Sequence, residues 1–230
     1  MSKADPELIA EAERFADDIA DLLERTVSEQ PPIRALAVEG RVLVAPFAAD
    51  GDQREDIPLT VQGERRLDLR LEFRCAWDFA RKFLAIESSR FALKLPHLGE
   101  PLIRFDYLRS HTWAPAHVQM HAESSTLGYL HAFTGTVKPP KVQALHIPVG
   151  GRRLRPCLED VIDFAIHDLA VDARAGASAR IGEGRSRWKR LQVNAAIRDV
   201  IKHDPDTAPH ELRATIEQAV ADVADTTAAG

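Results

Sequence analysis

Six of the nine histidines (His97, His111, His117, His121, His131 and His146) fall between positions 97 and 146. Histidine changes charge near neutral pH, so such a concentration offers proton transfer. Three stretches in this region alternate apolar and polar residues with the period of a strand. In Leu102–Leu108, Arg104 and Asp106 project opposite Ile103, Phe105 and Tyr107. In His117–His121, His117, Gln119 and His121 share the side opposite Val118 and Met120. In Val142–Val149, His146 lies opposite Leu145 and Ile147. If these strands are neighbours, Arg104, Asp106, His117, Gln119, His121 and His146 share one polar surface.

That set can cleave a phosphodiester without a metal. Asp106 would orient a histidine, His117 and His121 would act as base and acid, and Arg104 would stabilise charge on the phosphate. Two other readings stay open. Asp106, His117 and His121 can ligate a divalent ion, which would make a metal-dependent hydrolase. The same alternation also describes a solvated sheet face with no chemistry. A His pair four residues apart is no zinc motif outside a helix, and neither HExxH nor HxH occurs. His131, beside Tyr129 and Phe133, reads as a structural histidine.

A second candidate is electrostatic. The formal net charge is −5, yet residues 173–203 carry eight Arg or Lys against two acids. Within them, Arg185, Arg187, Lys189 and Arg190 surround Trp188. Cations for phosphate and an indole for stacking would hold a nucleic acid such as RNA. Trp188, Leu191, Ala195 and Val200 also recur at helical spacing, so Trp188 equally reads as core, with the arginines around it. Residues 1–30, with nine acids and three bases, balance this segment. Acidic terminal helices facing a basic one describe a module that pairs with another protein or with its own copy.

Several classes are excluded. There is no Walker A, no GxGxxG and no GxSxG, so nucleotide-dependent phosphoryl transfer and serine hydrolysis lack their motifs, and no cofactor is implied. Cys75 and Cys157 form no CxxC and fit a reducing cytosol rather than a disulfide framework. No apolar run approaches the roughly 18 residues of a membrane span, and the acidic start is wrong for a signal peptide. A cytoplasmic location without membrane contact is expected.

The elements that must position these residues read as one α+β domain over 1–230. It has an N-terminal helix (1–30), a mostly antiparallel sheet with one helix-covered face (31–150) and a helical C-terminal third (157–225). Asp5 caps and Pro6 opens the first helix. Glu39-Gly40 and Gln62-Gly63 mark hairpins. Leu67, Leu69, Leu71 and Phe73 alternate with charged residues in the clearest strand. Trp77–Ile86 reads as a short helix, Tyr129–Thr136 as a strand, and Ala173–Gly184 as a small-residue loop before a helix at Ser186–His203. Thr207 is expected to cap a last helix.

Arg104-Phe105-Asp106-Tyr107, Pro115-Ala116-His117-Val118, Leu145-His146-Ile147-Pro148-Val149 and Val161-Ile162-Asp163-Phe164 stand in order along the chain. The run from Leu102 to Ala170 resembles an uncharacterised bacterial domain family with an Arg-x-Asp-Tyr strand, a Pro-x-His segment, an Ile-Pro-Val strand and an aromatic-bearing helix. The resemblance spans about a third of the chain, and Leu127–Lys141 departs from its pattern. It implies a companion of bacterial defence or toxin–antitoxin loci and raises Asp106 and His117 as functional positions. Together with the polar face and the basic segment, it leads to the expectation of a toxin- or defence-like protein acting on nucleic acid as a metal-independent RNase.

Overall fold

The structure, a computed structural model, describes residues 5–78, 81–121, 146–151, 155–203 and 209–215. The fold is α+β. Helix α1 (Pro6–Thr26) is followed by eight strands. These are β1 (Ile33–Val38), β2 (Arg41–Pro46), β3 (Ile57–Val61), β4 (Glu64–Trp77), β5 (Leu84–Lys94), β6 (Pro101–Leu108), β7 (Ala116–Met120) and β8 (Ile147–Pro148). Helices α2 (Leu158–Asp168) and α3 (Ala177–His203) follow, and residues 209–215 are helical. The chain groups into two compact units, 1–185 and 186–230, with the division inside α3. The sequence shows no linker there because none exists: a continuous helix crosses the boundary.

Among the described residues all strand pairs are antiparallel, in the order β1-β2-β4-β5-β6-β7-β8, with β3 pairing β4 off this path. The long β4 carries β2 along its C-terminal half and β3 along its N-terminal half. Both tight hairpins have their turn residues at positive φ, Glu39 and Gly40 in one, Gln62 and Gly63 in the other. That conformation matches the strand twist.

The apolar face follows from alternation. Leu71, Phe91, Phe105, Val118 and Ile147 form one cross-strand row. Helices bury this face: Phe15 of α1 meets Phe73 edge-on at 5.0 Å, and Phe164 of α2 meets Phe105 at 6.2 Å. Helix α1 begins where Asp5 accepts a hydrogen bond from the Glu7 N–H at 3.0 Å. It seats Leu8, Ala12, Ala16, Ile19 and Leu23 against the sheet.

Two expectations fail locally. None of the described residues of Trp77–Ile86 is helical; Trp77 ends β4 and pairs with Leu84 of β5. Asp78 makes the reversal, because its carboxylate accepts from the N–H groups of Lys82 and Phe83 while its own N–H donates to the Phe83 carbonyl. Residues 177–184 are not a loop but the first turns of α3. Their small side chains serve close helix approach. Ala177 and Ile181 are buried, and a Cβ at Gly184 would collide with the Glu159 side chain. The expected Tyr129–Thr136 strand, His131, residues 142–145 and Thr207 lie outside the described residues.

Candidate active site on the polar sheet face

The same register that aligns the apolar row aligns a polar one on the other face. Glu72, Arg90, Asp106, His117 and Pro148 are successive partners across β4, β5, β6, β7 and β8. One step along the strands, Arg104 faces Gln119. A period-two pattern with no register slip between β6 and β7 can only place Arg104, Asp106, His117 and Gln119 together.

Asp106 sits between two guanidiniums. Arg90 Nε donates to its Oδ1 at 3.0 Å. Arg104 Nε approaches Oδ2 to 2.5 Å as an ion pair, its N–H not aligned for a hydrogen bond, while the guanidinium end donates to Gln119 Oε1. His117 Nε2 lies 3.8 Å from the same Oδ2. The other ring nitrogen, Nδ1, is 2.9 Å from the carbonyl oxygen of Ala114. A carbonyl can only accept, so Nδ1 carries the hydrogen and, in the neutral ring, Nε2 is the acceptor. Ala114 itself holds φ of 44°, a conformation few alanines adopt.

His146 completes the group. Its ring meets that of His117 edge-on with centroids 4.5 Å apart, and its Nε2 is 3.2 Å from Gln119 Nε2. The amide N–H₂ donates there, so this imidazole nitrogen accepts. His117 is buried at 7 % exposure, whereas His146 is exposed. The cluster therefore has a fixed interior imidazole and a solvent-facing one in contact.

The structure thus brings Arg104, Asp106, His117 and His146 together. It gives His121 a different neighbour, with Nδ1 3.5 Å from Glu100 Oε1. Among the described residues no group of three His, Cys, Asp or Glu side chains is arranged to hold a metal ion.

The basic candidates divide between the two units. Arg185 belongs with the sheet and is engaged: Nε donates to Asp160 Oδ1 at 2.7 Å and Nη1 to Asp163 Oδ2 at 2.8 Å. Arg187, Lys189 and Arg190 lie in the second unit, all exposed, with Trp188 half-buried between them. Sequence reading missed Arg90. The signal was present, since Arg90 alternates with Phe91, but the pairing of β5 with β6 was needed to place it beside Asp106.

Cys75 and Cys157 are both free and buried. Burial pushes the Cys75 thiol up to about 12. Cys157 is raised further, by burial and by the acids Glu159 and Asp160. Neither is a thiolate near neutral pH.

Searches for relatives find no matching family model, no matching curated protein and no matching solved structure.

Proposed function

We propose that this protein acts on nucleic acid through the polar face of its sheet, as a metal-independent RNase. The observation that carries the reading is the contact between the buried His117 and the exposed His146, beside Asp106 and Arg104. One imidazole takes the proton of the ribose 2′-hydroxyl as its oxygen attacks phosphorus. The P–O5′ bond breaks, and the leaving oxygen takes a proton from the other imidazole. The products are a 2′,3′-cyclic phosphate and a 5′-hydroxyl. His146, being exposed, is the imidazole that reaches substrate first. Arg104 opposes the charge that builds on the phosphoryl oxygens, and the Ala114 carbonyl holds the His117 tautomer.

The test is cleavage of end-labelled RNA, in excess chelator, by wild type, His146→Ala and His117→Ala, with folding checked by circular dichroism. Wild type should cleave and leave cyclic phosphate ends. Equal turnover by all three proteins discards the assignment. A toxin-like role, which rests on the motif resemblance, predicts growth arrest on expression in bacteria by wild type and not by His146→Ala.

A second reading, a partner-binding module, is favoured by one observation. Leu191, Val193, Val200 and Ile201 on α3 are exposed in the second unit. Light scattering at low and high salt tests it. Association without RNA turnover selects this reading over the first.

A further inference from the structure

The row of the sheet next to the histidine row ends in a cleft of about 610 Å³. Leu43, Arg74, Ser88 and Leu108 are successive cross-strand partners and form its floor. Each of Arg74, Ser88 and Leu108 lies two residues from a member of the row holding Glu72, Arg90 and Asp106. Rows two residues apart are separated by about 7 Å along a strand and point to the same face. The cleft and the histidine pair therefore open on one surface.

Its charged lining is Arg41, Arg74 and Arg109 against Glu39 and Glu87. Glu87 pairs with Arg41, and Arg74 Nε lies 3.2 Å from Glu72 Oε1. Each pair leaves guanidinium N–H groups unused, since arginine has five. Arg109 is exposed and pairs with no carboxylate among the described residues; its backbone N–H donates to the Glu87 carbonyl at 2.8 Å. Ser88 and Ser110 add hydroxyls, while Val38 and Leu108 present exposed apolar surface, 42 % and 39 %. A net positive cleft with an apolar wall, of the volume that takes a small ligand, suits a phosphate attached to a planar or sugar group.

We infer that this cleft is a nucleotide-phosphate subsite, in which Arg109, with Arg41 and Arg74, binds one phosphate of a strand whose reacting linkage lies at His117 and His146. The inference rests on the nucleic-acid reading of the polar face and names where the neighbouring part of the substrate sits. Arg109 forms the strongest contact because no carboxylate competes for it.

Binding is measured by fluorescence anisotropy on the full-length protein. The probe is a labelled single-stranded deoxyoligonucleotide, which lacks the 2′-hydroxyl and cannot be cleaved. Competitors are a nucleoside monophosphate, inorganic phosphate and poly-glutamate. Arg109→Ala should weaken probe binding roughly tenfold and lower the salt slope by about 0.7. Arg109→Glu should weaken it more. Arg14→Ala, on the exposed side of α1, removes the same charge elsewhere and should leave affinity unchanged. Competition by the monophosphate at concentrations where inorganic phosphate has no effect supports a nucleotide subsite, and stronger competition by unlabelled oligonucleotide identifies the strand as occupant. Equal effects of Arg109→Ala and Arg14→Ala overturn the inference, as does competition by poly-glutamate alone. RNA cleavage is scored separately. Arg109-dependent binding without cleavage keeps the subsite and removes the RNase; cleavage unaffected by Arg109→Ala keeps the RNase and removes the subsite.

Discussion

Two acid–arginine clusters in the first unit use the same residue types for different ends. At the start of α2, Asp160 accepts from the Cys157 N–H at 2.9 Å and, with Asp163, binds Arg185 of α3. Two acids share one guanidinium, a helix N-terminus is satisfied, and the exposed His167 lies 3.4 Å from Asp163. On the sheet, one acid, Asp106, is shared by two guanidiniums and abuts a buried imidazole that touches an exposed one. The first is a brace between helices. The second has more guanidiniums than acids and a buried imidazole packed on an exposed one, which a brace has no use for. Charge pairing alone does not mark a site; the stoichiometry of the pairs and the contact of a buried imidazole with an exposed one do.

Breaking each cluster should separate the two. His146→Ala should lower RNA turnover by at least about 100-fold, the usual scale for an acid–base group. Thermal unfolding should shift little, because the side chain is exposed. If that variant instead melts several degrees lower with unchanged turnover, the sheet cluster is also a brace.

Arg185→Ala should do the reverse. It strands Asp160 and Asp163 beside each other and should cost about 1–2 kcal/mol, read as a lower Tm, with turnover per folded molecule unchanged. A loss of turnover without a loss of Tm would move Arg185 from the brace to the substrate.

A smaller effect distinguishes the brace by pH. Burial alone would raise the Asp160 carboxyl, but the Cys157 N–H and thiol and the Arg185 guanidinium outweigh it and hold it below the usual carboxylate range. Its folded value is therefore below its unfolded one. The stability it adds is present above the unfolded value and is lost as pH falls through the folded value. Asp160→Asn should cost about 1 kcal/mol at pH 7, the scale of a lost cap. It should also flatten the fall in Tm below about pH 4. Parallel Tm–pH curves for the two proteins would contradict this.

The thiols bear least on the two clusters. Native protein at pH 8 should react with a thiol-specific chromogenic reagent far more slowly than unfolded protein at both Cys75 and Cys157, since burial keeps them protonated.

Much of the site was legible as one-dimensional pattern. Alternation alone assigns Arg104, Asp106, His117, Gln119 and His146 to the sides they occupy, because a strand turns successive side chains to opposite faces. It cannot say which strands are neighbours. That Asp106 opposes His117 and not His121 depends on the β6–β7 register, and Arg90 enters only through the β5–β6 pairing. The period of two was also misread where a turn intervened. Trp77–Ile86 contains both a strand end and a side-chain-pinned reversal, and their apolar residues together mimic a helical spacing.

For the helices the division is similar. Asp5, Pro6 and the apolar stripe of α1 are local signals, and they are sufficient because capping and amphipathicity act within a few residues. Gly182 and Gly184 lower intrinsic helix propensity, and nothing local says that Glu159 will pack against Gly184. Sequence determined what short-range sterics and alternation determine: strand faces, hairpin turns and the first helix. Tertiary structure decided what depends on distant partners, namely which arginines are occupied by acids, which histidine is buried, and which one faces solvent.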